Sequence, residues 1–403
     1  MTLQPDNEMN VSPAMEPEEF SLVLGGPLFQ FCRRLHVSGD SLELVRRRVL
    51  VITMFAWLPL LLLSVLDGHV FKGASRLPFL YDVETNVRFL IALPLLLIAE
   101  VTVHLGVGPL VREFVQTRIV PAEDFPAFNA AVKSAQGVRN SFWAESALLV
   151  LVYTVGLWIW RSQIALGTDT WYARPDATHL HLTAAGYWYA FVSIPIFQFL
   201  LLRWYMRIVL WFRFLWRVSR LHLRLTAAHP DRAGGIGFLG RSSYSFGPIL
   251  LAQGSLVAGV IASRVLYEGR SLLSFKMEAV GYVSLFVLII LGPLLMFTPQ
   301  LSMAKWMGQY EYGLLANRYV FGFEDKWIRG REMEKGELLG SPDLQSLADL
   351  ANSCSVVQTM RFVPFGLDDV LRLVAITALP LLPLALTTFS LEDLLTRVVK
   401  ILV

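Results

Sequence analysis

Glu100 and His104 lie four positions apart in the otherwise apolar run from Phe89 to Leu110, and their types and spacing best suit chemistry. The i,i+4 interval puts both side chains on one face of a helix. A carboxyl group withdrawn from water ionises less readily, so it can exchange protons near neutral pH or hold a cation. An ionisable residue at bilayer depth is by default a functional-site hypothesis, so the pair marks a candidate intramembrane polar path, with His104 as relay or partner. The competing reading is structural: Glu100, protonated or paired with His104 or an arginine, fixes helix packing. Glu145 is of the same type but lies near the start of its apolar run and reads as an interfacial charge.

The second concentration of chemistry is basic. Arg203, Arg207, Arg213, Arg217, Arg220 and Arg224 follow an apolar run at intervals of four, six, four, three and four. On a helix they occupy one arc, with aromatic and aliphatic residues over the rest. A voltage sensor wants arginine at every third position within a span, which this is not. Arginine is costly at the bilayer centre, so the segment is expected to lie along the inner surface as an amphipathic helix facing anionic lipid head groups, or to extend into the cytoplasm against other helices. It runs into His229-Pro-Asp-Arg-Ala-Gly-Gly-Ile-Gly-Phe-Leu-Gly240, whose glycines permit a tight turn. With Gly235, Gly237, Arg232 and Arg241 beside the N-terminus of the next helix, a phosphate, lipid head group or carboxylate could bind there. A turn locked by Asp231 on local backbone, with Arg232 paired to a neighbour, explains the same residues without a ligand.

Other chemistries are weaker. Gly235-x-Gly237-x-x-Gly240 matches the dinucleotide pattern by letter, but that pattern has meaning only after a strand and within a βαβ unit, and a basic helix precedes it here. His-Pro-Asp after a basic helix also resembles the J-domain of Hsp40 co-chaperones, but the soluble helical hairpin of that domain is missing. His179 and His181, with Asp169 and Asp176 nearby, lack a defined third metal ligand. Without paired catalytic carboxylates or a metal constellation, no enzyme activity and no cofactor are expected.

The elements that position these residues are seven long apolar stretches, beginning near Val49, Phe89, Phe142, Ala184, Phe246, Met277 and Val370, each able to supply the roughly 20 residues of a membrane-crossing helix. With 55% hydrophobic and 17% charged residues, the composition excludes an ordinary soluble domain. Lys and Arg number 24 on one side of the implied topology and 9 on the other. The N-terminus and three longer connections are therefore expected in the cytoplasm. Pro380 and Pro383 interrupt the last stretch, which could instead dip into the membrane and return. Cys32 and Cys354 imply no disulfide framework, and a net charge of +3 does not suggest nucleic acid. Trp158, Trp160, Trp171, Tyr187, Trp188 and Tyr189 read as an interfacial aromatic belt. Ser255, Gly259 and Ser263 form a small-residue stripe that lets another helix backbone approach.

The expected architecture is an all-α polytopic membrane bundle of about seven transmembrane helices with cytoplasmic helical extensions. Its parts are a cytoplasmic N-terminal segment (1–40), six spans (41–302), a cytoplasmic helical segment (303–369), and a last span with an amphipathic C-terminal helix (370–403). Ser341-Pro342-Asp343 reads as a helix start. The glycine loop, the stretch Arg88-Phe-Leu-Ile-Ala-Leu-Pro-Leu-Leu-Leu-Ile-Ala-Glu100 and the ending after Val363-Pro-Phe resemble a group of uncharacterised bacterial integral membrane proteins. That resemblance implies a bacterial inner membrane and no particular activity. The expected function is an oligomeric channel or transporter for an ion or small solute, using the intramembrane carboxylate. Its rival is a non-transporting scaffold or sensor that binds anionic lipid or a partner protein through the basic helix.

Overall fold

A computed structural model describes residues 20–25, 45–71, 77–164, 170–175, 180–329 and 342–385. Six of its helices are long and apolar enough to cross a membrane: α1 (Val45–Leu66), α2 (Val83–Gln116), α4 (Phe142–Ser162), α5 (Ala184–Val218), α6 (Phe238–Glu268) and α7 (Leu272–Ile328). A shorter helix, α3 (Phe125–Arg139), packs on α5, and α8 (Pro342–Thr359) packs on the extended C-terminal half of α7. The fold is an all-α polytopic bundle that also carries a small antiparallel pair of strands, β1 (Ala173–Pro175) with β2 (Leu180–Leu182).

The faces of α1 show which solvent the bundle is built for. Its buried positions are Arg48, Thr53, Ala56, Leu60 and Ser64, whereas Leu50, Phe55, Leu58, Leu62 and Leu66 point outward. This inverts the soluble pattern. Lipid tails solvate leucine as well as a protein core does, so polar and small residues are drawn to helix contacts instead.

Two spans absorb a proline by the same device. A π-helical turn at Arg88–Ala92 precedes Pro94 in α2, and another at Tyr189–Ser193 precedes Pro195 in α5. Proline lacks the N–H its helix position would donate and crowds the carbonyl one turn back, and a local π adjustment accommodates both.

At the centre, α6 packs on the first turns and body of α2 and on α9 (Leu367–Ala378). A Cβ on Gly254 would strike the Thr377 carbonyl, so these backbones meet directly. Gly259 lies against Val87 and Glu84, Ser255 is buried, and Ser263 is half-buried.

The sequence led us to expect seven spans, and six qualify among the described residues. The seventh stretch forms α9 and continues through a 3₁₀ turn at Leu379–Leu381 into Leu382–Ala385. Asp368, Asp369 and Arg372 in its first turns shorten the apolar run, and Pro380 tightens the helix at the 3₁₀ turn. The amphipathic segment 390–403, Cys32, and Asp169, Asp176 and His179 lie outside the described residues.

The aromatic belt divides. Trp158 and Tyr187 are exposed as expected, but Trp171 and Tyr189 are core residues. Trp171 donates its indole N–H to Asp82 (3.0 Å), the N-cap of the first turn of α2, and Tyr189 accepts from Arg88 (2.7 Å). These contacts fasten the strand pair and the start of α5 to α2.

Candidate functional site

Glu100 sits in α2 where four helices meet, and it is 4% exposed. Its Oε1 accepts from Arg207 Nη1 (2.9 Å) and Arg203 Nη1 (3.3 Å), and its Oε2 accepts from Arg48. Arg203 reaches with its other amino group to Glu145 at 3.2 Å, which adds α4 to the cluster. The side chains of all five residues are at least 94% buried. Sequence spacing explains part of this: Arg203 and Arg207 are i,i+4 and share one face of α5. Trp204 turns the same way and donates to the Leu96 carbonyl (2.8 Å), one turn before Glu100. The Arg207 guanidinium carbon lies 4.8 Å from the centre of the Trp204 ring.

The depth of the cluster differs from the sequence expectation. Arg48 and Glu145 are each the fourth residue of their spans. Glu100 therefore lies level with the first turns of α1 and α4 rather than at mid-bilayer. At 1.5 Å per residue it is about 25 Å along α2 from Val83, most of a hydrocarbon core of about 30 Å. The cluster thus lies at the end of the bundle where the long basic connections emerge, here termed the basic end.

Three guanidiniums face two carboxylates, so the cluster carries an excess positive charge. Among the described residues, the Arg48 Nε and the Arg207 Nη2 are buried without a hydrogen-bond partner. The excess extends to Arg139 at the end of α3: burial, and then the charge of Arg203, lower its guanidinium to about 10. Arg139 donates to the Ser21 carbonyl and to Asn140 Oδ1 (3.0 Å).

His104 meets Ser21 rather than lining a path with an open carboxylate. Ser21 Oγ accepts from the Val23 and Leu24 amides (3.1 and 2.9 Å). The same oxygen lies within hydrogen-bond distance of His104 Nδ1, at 3.0 Å. Phe20, Ser21, His104, Arg112 and Arg139 line a cleft of about 280 Å³.

The structure corrects the reading of the basic helix. Arg203 and Arg207, expected at lipid head groups, turn inward to Glu100, because a carboxylate in the bundle recruits the nearest cations. Helix α5 ends at Val218, so Arg220 and Arg224 lie beyond it. Arg213, Arg220, Arg224, Arg232 and Arg241 are exposed, and Arg217 is half-buried.

The glycine loop is a knot around Asp231. Its carboxylate accepts from the amides of Ala233 (2.8 Å), Gly235 (3.2 Å) and Gly237 (2.8 Å), and His229 Nδ1 lies 2.8 Å away. Burial raises the Asp231 pKa, but the amides and His229 outweigh it and hold the carboxyl below its usual range. Gly234 and Gly235 take positive φ, as the tight turn requires, and Arg232 does too at 55°. Arg361 ties the loop to the segment after α8: its amide donates to the Arg232 carbonyl (2.7 Å) and its guanidinium to the Asp231 carbonyl (2.9 Å).

Sequence reasoning missed Arg48 and underrated Glu145. Their signal was the shortage of partners for Glu100 within its own helix. It also missed a buried bridge within the bundle, in which Gln253 on α6 donates to the Tyr205 hydroxyl (2.7 Å) and accepts from Tyr282 (2.9 Å). Among the described residues, no group of three or more His, Cys, Asp or Glu could hold a metal ion.

Six apolar helices, with polar residues drawn to the inner face of α1, decide the class. This is a multi-pass integral membrane protein. No protein family, curated protein or solved structure matches the chain.

Proposed function

We propose that the protein is a channel or transporter for a small anion, with the buried arginine cluster as the charge-selecting element of its path. One observation carries this reading: three arginines buried against two glutamates, with two N–H donors unpaired. A buried charge without a counterion costs several kcal/mol, and a passing anion would supply that counterion. The cleft beside His104 brings Arg112 and Arg139 to the same end of the bundle and gives an anion an approach. Glu100 acts here as an internal counterion that holds the arginines in register. It is poorly suited to carrying protons or cations, because guanidiniums cover both its oxygens.

The excess of Lys and Arg at the basic end supports a cytoplasmic placement of that end and of the N-terminus, and the resemblance to bacterial integral membrane proteins supports a bacterial inner membrane. Homo-oligomeric assembly belongs to the same proposal and is tested by light scattering of the purified protein. The test of function is flux into liposomes. Chloride and small organic anions should move in preference to potassium or protons, and Arg207→Gln should reduce that movement. Folded protein that passes no anion, or passes cations in a Glu100-dependent way, refutes the proposal.

The outward-facing Arg213, Arg220, Arg232 and Arg241 favour one second reading, a non-transporting scaffold or sensor at an anionic membrane surface. Silent flux, together with protection of residues 203–241 from hydrogen exchange only in anionic lipid, would select it.

A further inference from the structure

A second cavity, of about 460 Å³, lies at the basic end, bounded by Arg224, Arg241, Arg361, Glu113, Gly235 and Gly237 among others. It is separate from the Glu100 cluster and draws on four parts of the chain: the last turns of α2, the segment after α5, the loop into α6 and the segment after α8. We infer that this cavity is a binding site for a phosphate group, supplied by a soluble phosphate compound or by an anionic phospholipid head group.

Charge supplies the first argument. Three arginines border the cavity against two carboxylates, and neither carboxylate disposes of the excess. Both Asp231 oxygens are taken up by three backbone amides and His229. Among the described residues Glu113 reaches only Arg241, at 3.7 Å. Among the described residues no carboxylate pairs with Arg224 or Arg361, and the Arg361 Nε is buried without a hydrogen-bond partner. Guanidiniums match phosphate oxygens in geometry as well as charge.

Position supplies the second argument. Helix α2 runs about 20 Å past Glu100 to reach Glu113, α5 ends at Val218 and α6 begins at Phe238, so the cavity lies on the far side of the Glu100 cluster at the basic end, outside the hydrocarbon and within reach of soluble phosphates. Ile119 and Phe238 give it an apolar flank suited to the organic part of a phosphate ester.

Rigidity supplies the third. Asp231 and the two hydrogen bonds from Arg361 fix the loop without a ligand, so binding need not order it. The inference does not depend on whether the protein transports anything.

The test uses the full chain in dodecylmaltoside with three water-soluble probes: dihexanoyl phosphatidylglycerol, dihexanoyl phosphatidylcholine and inorganic phosphate, with binding measured by microscale thermophoresis. Phosphatidylglycerol should bind about tenfold or more tightly than phosphatidylcholine. The double variant Arg224→Gln/Arg241→Gln should weaken it about tenfold, the loss expected for two charge-assisted contacts. Both arginines are exposed, so the variant should fold, as circular dichroism will verify. Arg361→Gln should weaken binding as well. If inorganic phosphate binds and the double variant loses it while phosphatidylglycerol binds no better, the site serves free phosphate. If the native chain binds no probe, or the double variant binds as well as the native chain, the inference is overturned.

Discussion

Replacing Glu100 by glutamine should unsettle the whole bundle rather than silence a single step. The native cluster sets Arg48, Arg203 and Arg207 against Glu100 and Glu145, an excess of one positive charge. Glu100→Gln raises the excess to two at nearly constant volume. At an effective dielectric of about 20, charges about 4 Å apart attract by about 4 kcal/mol. Desolvation and repulsion among the arginines offset much of that, and breaking a buried ion pair from one side typically costs about 3–5 kcal/mol. The variant should lose that much in reversible unfolding in mixed dodecylmaltoside and SDS micelles, followed by far-UV circular dichroism. Removing a cation as well, in Glu100→Gln/Arg207→Gln, restores the native excess. The double variant should therefore be more stable than the sum of the single losses predicts, by about 2 kcal/mol or more, well beyond the roughly 0.5 kcal/mol scatter of independent sites. A protonated, proton-carrying Glu100 would make the glutamine nearly silent. A stable Glu100→Gln, or strict additivity with Arg207→Gln, refutes the ion-cluster reasoning.

Three further outcomes follow from the geometry. Asp231→Asn should cost about 1–3 kcal/mol, because an amide accepts fewer of the loop N–H groups. The Asp231 carboxyl is held below its ordinary value of 3.8 in the folded chain, so its contribution is complete above that pH and is lost as pH falls through the folded value. The stability gap between native and variant should accordingly close only in acid, and a gap independent of pH from 6 to 3 would contradict this. Gly254→Ala should cost about 1–3 kcal/mol by forcing α9 away from α6, whereas Gly281→Ala, with open space at its Cβ, should be neutral or stabilising. Equal unfolding midpoints for the two variants would argue against backbone contact at Gly254. Asp82→Ala removes the acceptor for Trp171, the Thr85 amide and the Thr85 hydroxyl. It should lower stability by about 1–3 kcal/mol and shift tryptophan emission to the red; unchanged emission would show that Trp171 is held by other contacts.

Taken alone, the sequence determined the solvent of this protein, because only helices long and apolar enough to cross hydrocarbon can be made from its main stretches. It also determined that Glu100 needs a partner, that Asp231 can bond the turn around it, and that α7 extends past the membrane to meet a helix starting at Pro342. All of these follow from local rules of length, spacing, capping and charge. The tertiary structure alone decided that Arg203 and Arg207 face inward while Arg213 and Arg241 face outward, and that Arg48 and Glu145 complete the cluster from helices about 50 and 45 positions from Glu100. Helical phase says which residues share a face but not what that face meets. In lipid the usual guide fails, since apolar residues are as well solvated outside as inside and only polar groups report the interior. The same limit hid the depth of Glu100: α2 is 34 residues long, more than a bilayer needs, and only its neighbours' first turns show which part of it is submerged.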